Sequence, residues 1–318
     1  MQKPRLAVLA SLLLVCPVFA QTAPAIPQPG VKLSADQLKA QIRVTAGRRL
    51  RPQSWPNGAR VAVALSFDVD NMSASLARGD LAPGVLSRGE YGAVDGLPRI
   101  LRLLDKHQVP ASFFIPAVSD VLHPQMMRDI LASGRHEVAV HGWIHELLPS
   151  LNNEVEEQRL LDQAIAHLTK ATGKRPVGYR APSWAFSQFT MGQVARAGFL
   201  YDSSLMASDD AYELLLDGKP TGVIELPIEW ILDDAPVLNL PGGVLPSPEL
   251  VNQAFQSEFD VAYEERGLFI LTMHPHVTGH RSRIAALERL ILHMKSRPGV
   301  WFATHEQVAR YVKEKRER

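Results

Sequence analysis

Cysteine is almost absent from this chain: Cys16 is the single cysteine in 318 residues. It lies in an apolar N-terminal run, so a chain that loses that run can form no disulfide and must rely on its core. Long apolar stretches are missing as well. After residue 20 nothing approaches the ~18 uninterrupted apolar residues of a membrane helix, so no stable membrane insertion is expected. A charge excess of either sign is lacking too, with 34 Lys+Arg against 33 Asp+Glu; that balance offers no basic footprint for nucleic acid. Beyond Pro52 there is no repeat, second linker or low-complexity stretch, which leaves one large α/β domain over residues 52–318.

The N-terminus has its own pattern. Lys3 and Arg5 precede the apolar run 6–15, and Val18-Phe-Ala20 places small residues around a cleavage point. Residues 1–20 therefore read as a secretory signal peptide, and the expected location is exported, a bacterial periplasm. Its removal takes Lys+Arg from 34 to 32 and the net charge from +1 to −1. Residues 21–51 read as a tether and N-terminal extension, with Pro24, Pro27 and Pro29 among small residues and a short helix over 34–46. Oligomeric state is left open.

From Val61 onward strands and helices alternate. Apolar strands are expected at 61–67, 111–115, 137–140, 177–179, near Leu200, and at 223–226, 268–273 and 300–302. Helices are expected from a cap at Asp95, at 125–132, from Ser150 or Asn152 to Ala171, at 189–197, 248–265 and 284–295, and at the C-terminus. Such alternation implies a parallel sheet with helices outside. Asp68, His141, Arg180 and His274 each follow one of these strands, at the end where parallel sheets bind ligands.

Each cluster has a chemical reading. Asp68 and Asp70, two apart, point the same way if the chain is extended, and two buried carboxylates need a cation or a metal. His141-Gly-Trp-Ile-His145 sets two imidazoles where, beside a carboxylate, they can share a metal and leave a position open for water; alone they read as structural histidines. Arg180, in Tyr179-Arg-Ala-Pro182-Ser-Trp184, can keep one carboxylate ionised. His274 is a natural acid for a leaving amine, and Asp202 offers it a partner.

Together these segments resemble the polysaccharide deacetylase family (the NodB-homology fold, carbohydrate esterase family 4), in the branch of the Helicobacter-type peptidoglycan deacetylase. Ser66-Phe-Asp-Val-Asp70 is similar to its first motif, His141–His145 with Glu146 to the second, and 180–184, 202–205 and 271–279 to the third, fourth and fifth. The resemblance implies a distorted (β/α) barrel of about seven parallel strands and a catalytic domain spanning 52–318. It implies that Asp70, His141 and His145 hold a divalent metal, usually Zn2+, and that Asp68 is the general base. It further implies that Arg180 orients Asp68, that His274 is the acid with Asp202 behind it, and that Trp184, Pro182 and Tyr179 contact substrate. The expected reaction is N-deacetylation of an amino-sugar polymer such as peptidoglycan. Hydrolysis of a small cyclic imide or ureide is the alternative, and an inactive carbohydrate-binding protein on the same fold is a further one. His276 and His280 replace an acidic residue and an arginine of that branch, 72–92 reads as a long inserted loop, and 225–234 adds acidic and aromatic groups with no assigned use.

Overall fold

A computed structural model describes residues 28–238 and 246–316; the expected signal peptide and the expected tether as far as residue 27 lie outside the described residues. The chain divides into two compact units, 1–41 and 42–318. In the first, Ser34 and Gln37 cap the helix Ala35–Gln41 reciprocally: Ser34 N donates to Gln37 Oε1 at 2.8 Å, and Gln37 N donates to Ser34 Oγ at 3.3 Å.

The second unit is a curled sheet of ten strands with helices packed outside. The strands are β1 (Val44–Arg49), β2 (Val61–Asp68), β3 (Ser112–Ile115), β4 (Glu137–Val140), β5 (Gly178–Tyr179), β6 (Tyr201–Asp202), β7 (Tyr212–Leu216), β8 (Lys219–Glu225), β9 (Leu268–Met273) and β10 (Val300–Phe302). Their order is β1-β7-β8-β6-β5-β4-β3-β2-β10, and β9 also pairs with β2. From β8 through β6 to β2, β9 and β10 every pairing is parallel, whereas β7 and β1 are antiparallel additions. The barrel is therefore half closed: among the described residues, the gap between β8 and β9 is spanned by one isolated bridge, Asp233 with Thr272.

Strand β2 is the axis. All eight of its residues are buried. It pairs with β9 along one edge, and with β10 and then β3 along the other. Alternation divides it cleanly. Val61, Val63, Leu65 and Phe67 join the outer core beneath the helices, with Ile100, Leu104 and Leu168. Ala62 and Ala64 face inward, where small side chains leave room for Trp55, Phe114 and Tyr201. Burying each large apolar side chain is worth about 1.5–3 kcal/mol.

Several boundaries differ from expectation. The sheet starts at Val44, inside the segment expected to be extension, so the short helix stops at Gln41 and the domain begins before residue 52. Its partner β7 turns into β8 through Asp217 (φ 50°) and Gly218 (φ 76°), the paired positive φ of a type I′ hairpin. The stretch 72–92 is not a loop but carries helices Ser73–Ala77 and Pro83–Tyr91. The latter runs through a π turn, Gly92–Gly96, into Leu97–His107, so Asp95 sits inside a continuous helical stretch and caps nothing. The long helix Glu154–Thr172 is capped by Asn153, whose side chain accepts from Glu156 N, rather than by Ser150 or Asn152. Among the described residues no helix is long and apolar enough to cross a membrane.

Candidate active site

The inward face of β2 ends in Ser66 and Asp68, which is 1% exposed. A lone carboxylate there would be driven neutral by desolvation. Arg180, leaving β5 and fully buried, prevents that: its Nη1 donates to Asp68 Oδ1 at 2.6 Å and to Ser66 Oγ at 3.1 Å. Nε and Nη2 donate to Ser203 O (2.8 Å) and Ser203 Oγ (2.9 Å), and the guanidinium lies 3.9 Å from the centre of the Phe114 ring. Burial pushes the Asp68 carboxyl up, but Arg180, with help from His141 and His274, outweighs it and holds the group below the usual carboxylate range.

Three residues after Asp68, Asn71 takes a left-handed conformation (φ 49°) and the chain turns. The Asp70 carbonyl is pinned by Ser73 N, Ser73 Oγ and Ser119 Oγ, at 2.9, 2.7 and 2.9 Å. Asp70 Oδ1 is buried with no hydrogen-bond partner. Facing it are His141 Nε2, 3.5 Å from Oδ1, and His145 Nε2, 3.4 Å from Oδ2. His141 Nδ1 is 2.8 Å from the Arg180 carbonyl; a carbonyl accepts only, so Nδ1 carries the proton and Nε2 presents its lone pair. The loop bearing both histidines is tied by Glu146, whose carboxylate accepts from Trp143 N and Ile144 N, and His145 itself has φ 60°. Burial presses both imidazoles toward neutrality, His145 to about 4.

Asp70, His141 and His145 thus fit a divalent ion. Their donor atoms lie within 4.8 Å of one another. The 3.4 and 3.5 Å separations approach the roughly 3.3 Å expected between ligands of a tetrahedral zinc with bonds near 2.0–2.1 Å. A bound cation would also satisfy the orphaned oxygen of Asp70.

His274, at the end of β9, completes the inner ring, with Nε2 3.7 Å from Asp70 Oδ2. Its expected partner was Asp202; the structure gives it Asp234 instead. Asp234 Oδ1 lies 2.7 Å from His274 Nδ1, and Oδ2 accepts from His274 N (3.0 Å) and Thr278 Oγ1 (2.5 Å). Asp233 Oδ1 stands 3.6 Å away, its carboxyl lifted by burial to about 7. Burial pulls His274 down, but Asp234 raises it well above the ordinary histidine range.

Asp202 stands on the wrong face for that role. Its neighbour Tyr201 points inward, so Asp202 points outward, where Ser204 N and Oγ donate to it and Glu225 lies beside it. Tyr179 is corrected on the same grounds: Arg180 faces in, so Tyr179 faces out, buried in the helical core against Phe199. Pro182 is buried under Gly142, steadying the histidine loop rather than forming an exposed wall. Trp184, with φ 55°, joins the inner cluster and packs at a tilt of 34° against half-exposed Trp230, ring centres 4.2 Å apart. Sequence reading missed Asp234, although the acidic run 225–234 marked the segment that supplies it.

A family profile described as polysaccharide deacetylase matches residues 84–201, which hold His141, His145 and Arg180. The peptidoglycan deacetylase of Helicobacter pylori is 31% identical over 282 residues, 78% of this chain and 95% of its own length. Among solved structures, a candidate polysaccharide deacetylase from Mycobacterium smegmatis is 36% identical with a TM-score of 0.77, covering 86% of this chain and 96% of that one. The PuuE allantoinase is 26% identical with a TM-score of 0.72, covering 84% and 94%.

Proposed function

The chain belongs to the polysaccharide deacetylase family, hydrolases of carbon–nitrogen bonds other than peptide bonds, and from that premise we propose that it removes N-acetyl groups from an exported amino-sugar polymer, peptidoglycan foremost, using zinc. The observation that carries this reading is the flanking of one orphaned carboxylate oxygen, on Asp70, by two oppositely tuned groups. On one side Asp68 is kept ionised by Arg180, and on the other His274 is kept protonated by Asp234.

Asp70, His141 and His145 would hold a divalent ion, which would supply Lewis acidity and lower the pKa of a water in the site. Asp68 takes that water's proton at Oδ2, the oxygen that Arg180 leaves free. His274 presents Nε2 to the site and gives its proton to the departing nitrogen, while Asp234 holds the ring orientation through Nδ1. Acid and base therefore have their charges set before substrate arrives.

Acetate release from N-acetylated glycan, with and without chelation, tests the reading; undiminished hydrolysis by metal-free protein would sink it. The likeness to an allantoinase keeps a second substrate class in view, and turnover of allantoin or succinimide in place of glycan would select it. Protein that purifies without metal and releases no acetate would return the reading to an inactive carbohydrate binder. A periplasmic location belongs to the same proposal, supported by the pattern of residues 1–20.

A further inference from the structure

A guanidinium carries five N–H donors and no acceptor. For Arg180, Nη1 directs two to Asp68 Oδ1 and Ser66 Oγ, Nε directs one to Ser203 O, and Nη2 directs one to Ser203 Oγ. The fifth, also on Nη2, faces His305 Nε2 at 3.5 Å. His305 is fully buried and opens the C-terminal helix His305–Arg316. Thr304 and Gln307 cap that helix reciprocally: Thr304 N donates to Gln307 Oε1 at 2.9 Å, and Gln307 N donates to Thr304 Oγ1 at 3.2 Å. With Val308, Ala309 and Val312 packed in the inner cluster, the start of the helix holds the imidazole against Phe114 and Tyr201. The His305 ring stands edge-on to Phe114, centres 5.2 Å apart and planes at 84°, and lies 5.9 Å from Tyr201.

The far side of the ring fixes its tautomer. Ser112 Oγ lies 3.1 Å from His305 Nδ1 and donates to Glu137 Oε2 at 2.7 Å. Its single proton is thereby engaged, so it accepts from Nδ1–H, as it does from His305 N at 2.8 Å. Two further donors meet on Glu137 and keep it an acceptor: Tyr201 OH reaches Oε1 at 2.7 Å, and Glu306 N reaches Oε2 at 2.8 Å. Burial, and then Arg180, press the imidazole well below the usual histidine range, so Nε2 turns a lone pair toward the guanidinium. An imidazolium there would set two buried cations side by side. Asp68 takes a proton in each proposed turnover, and the arginine beside it stays in place only if its other acceptors do not change. Resting on the deacetylase reading, we propose that His305, held by Ser112 and Glu137 as the neutral Nδ1–H tautomer, is a positioning residue for the base: its Nε2 fixes the Arg180 guanidinium and, through it, the Asp68 carboxylate. Being fully buried, His305 acts through Arg180 and not on substrate.

Two amide substitutions separate the two ring nitrogens. In His305→Gln the side-chain oxygen takes the place of Nε2 and can accept from Arg180. In His305→Asn the side-chain nitrogen takes the place of Nδ1 and can donate to Ser112, while the Arg180 donor is left bare. Acetate release from N-acetylated glycan should show kcat about 10–10²-fold lower in His305→Asn, the range that a misaligned catalytic group costs, with KM and metal content near wild type. His305→Gln should recover most of that loss. Equal losses in the two variants, a loss confined to KM, or undiminished kcat in His305→Asn overturns the inference and leaves the deacetylase reading intact. A two-bond 1H–15N spectrum of the wild-type histidines needs no substrate, with His305 assigned from the signal missing in His305→Gln. His305 should stay neutral with its proton on Nδ1 between about pH 5 and 8, the range in which an ordinary histidine titrates; a proton on Nε2, or an imidazolium, overturns the inference. If the wild-type protein releases no acetate the deacetylase reading falls, and the spectrum alone decides the tautomer and the contact; the spectrum decides equally if His305→Asn does not fold.

Discussion

Two pairs of buried carboxylates lie on opposite faces of one sheet, and they are neutralised differently. The outer pair is Asp202 at the end of β6 and Glu225 at the end of β8, aligned across the parallel ladder. Glu225 Oε1 accepts from Ser204 N and Leu205 N, both at 2.9 Å, while Oε2 has no donor from the described residues. Burial lifts Asp202 to about 6 and Glu225 well above its ordinary value, so one proton shared between the two supplies the missing bond. The inner pair, Asp68 and Asp70, receives instead a fixed guanidinium, two neutral imidazoles and an oxygen without a partner. A pair closed by its own proton serves as structure. A pair closed by a fixed cation on one side and left open on the other can accept a metal and a substrate.

The sharpest way to break this contrast is Asp70→Ala. Metal content by elemental analysis should fall toward zero and kcat/KM by on the order of 10³-fold or more, since metal polarisation is worth several kcal/mol; full activity with metal retained would make the inner pair structural. Next, Asp68→Asn should retain the metal yet lose about 10²–10⁴-fold in kcat, the usual range for a general base. Third, Asp234→Asn should lower kcat by about 10²-fold and move the alkaline limb of the pH profile to lower pH. The sign follows from the charge: Asp234 raises His274, so without it the acid loses its proton earlier. Asp202→Asn should leave that limb in place, and a shift there would restore the pairing expected from sequence.

The smallest effect belongs to the outer pair. The unfolded chain releases the Asp202 proton near pH 4 and the folded chain near 6, so this group's contribution to stability is present below about pH 4 and is lost as pH rises to about 6. Glu225→Gln keeps an acceptor for Ser204 N and Leu205 N and adds a permanent donor. It should be more stable than wild type by about 1–2 kcal/mol at pH 8, with the advantage shrinking toward pH 4, in urea unfolding at the two pH values. A pH-independent difference would mean that no proton is shared.

What was legible in the sequence was whatever regular strands carry. Asp68, His141, Arg180 and His274 follow apolar runs whose burial is strong enough to set their ends, so their convergence could be anticipated. Face was legible too, but only by counting: once Arg180 is turned inward, its neighbour Tyr179 must turn out, and Asp202, aligned with Tyr179 in the ladder, turns out with it. Asp234 was beyond reach because it follows an irregular stretch, Trp230–Leu232 and the Asp233 bridge, with no phase to carry forward. The β1–β7 edge was missed for another reason: Val44-Thr-Ala-Gly-Arg-Arg49 is only partly apolar, and it becomes a strand by pairing with β7. The Asp217-Gly218 turn between apolar β7 and β8 was the signal that could have exposed the hairpin.

The π turn Gly92–Gly96 presses directly on the segment that carries His274. A Cβ on Gly96 would come within 2.2 Å of the Pro275 carbonyl oxygen, and one on Gly279 within 2.4 Å of the Gly96 Cα. Backbone meets backbone there, with no flexible side chain to yield. The helical arm before Leu97 and the loop after His274 therefore share one permitted alphabet. In a saturation library, positions 96 and 279 should accept glycine alone, while charged positions nearby, such as Glu90 and Asp95, tolerate wide replacement. At this contact the limit on sequence drift is set by a pair of residues with no side chain.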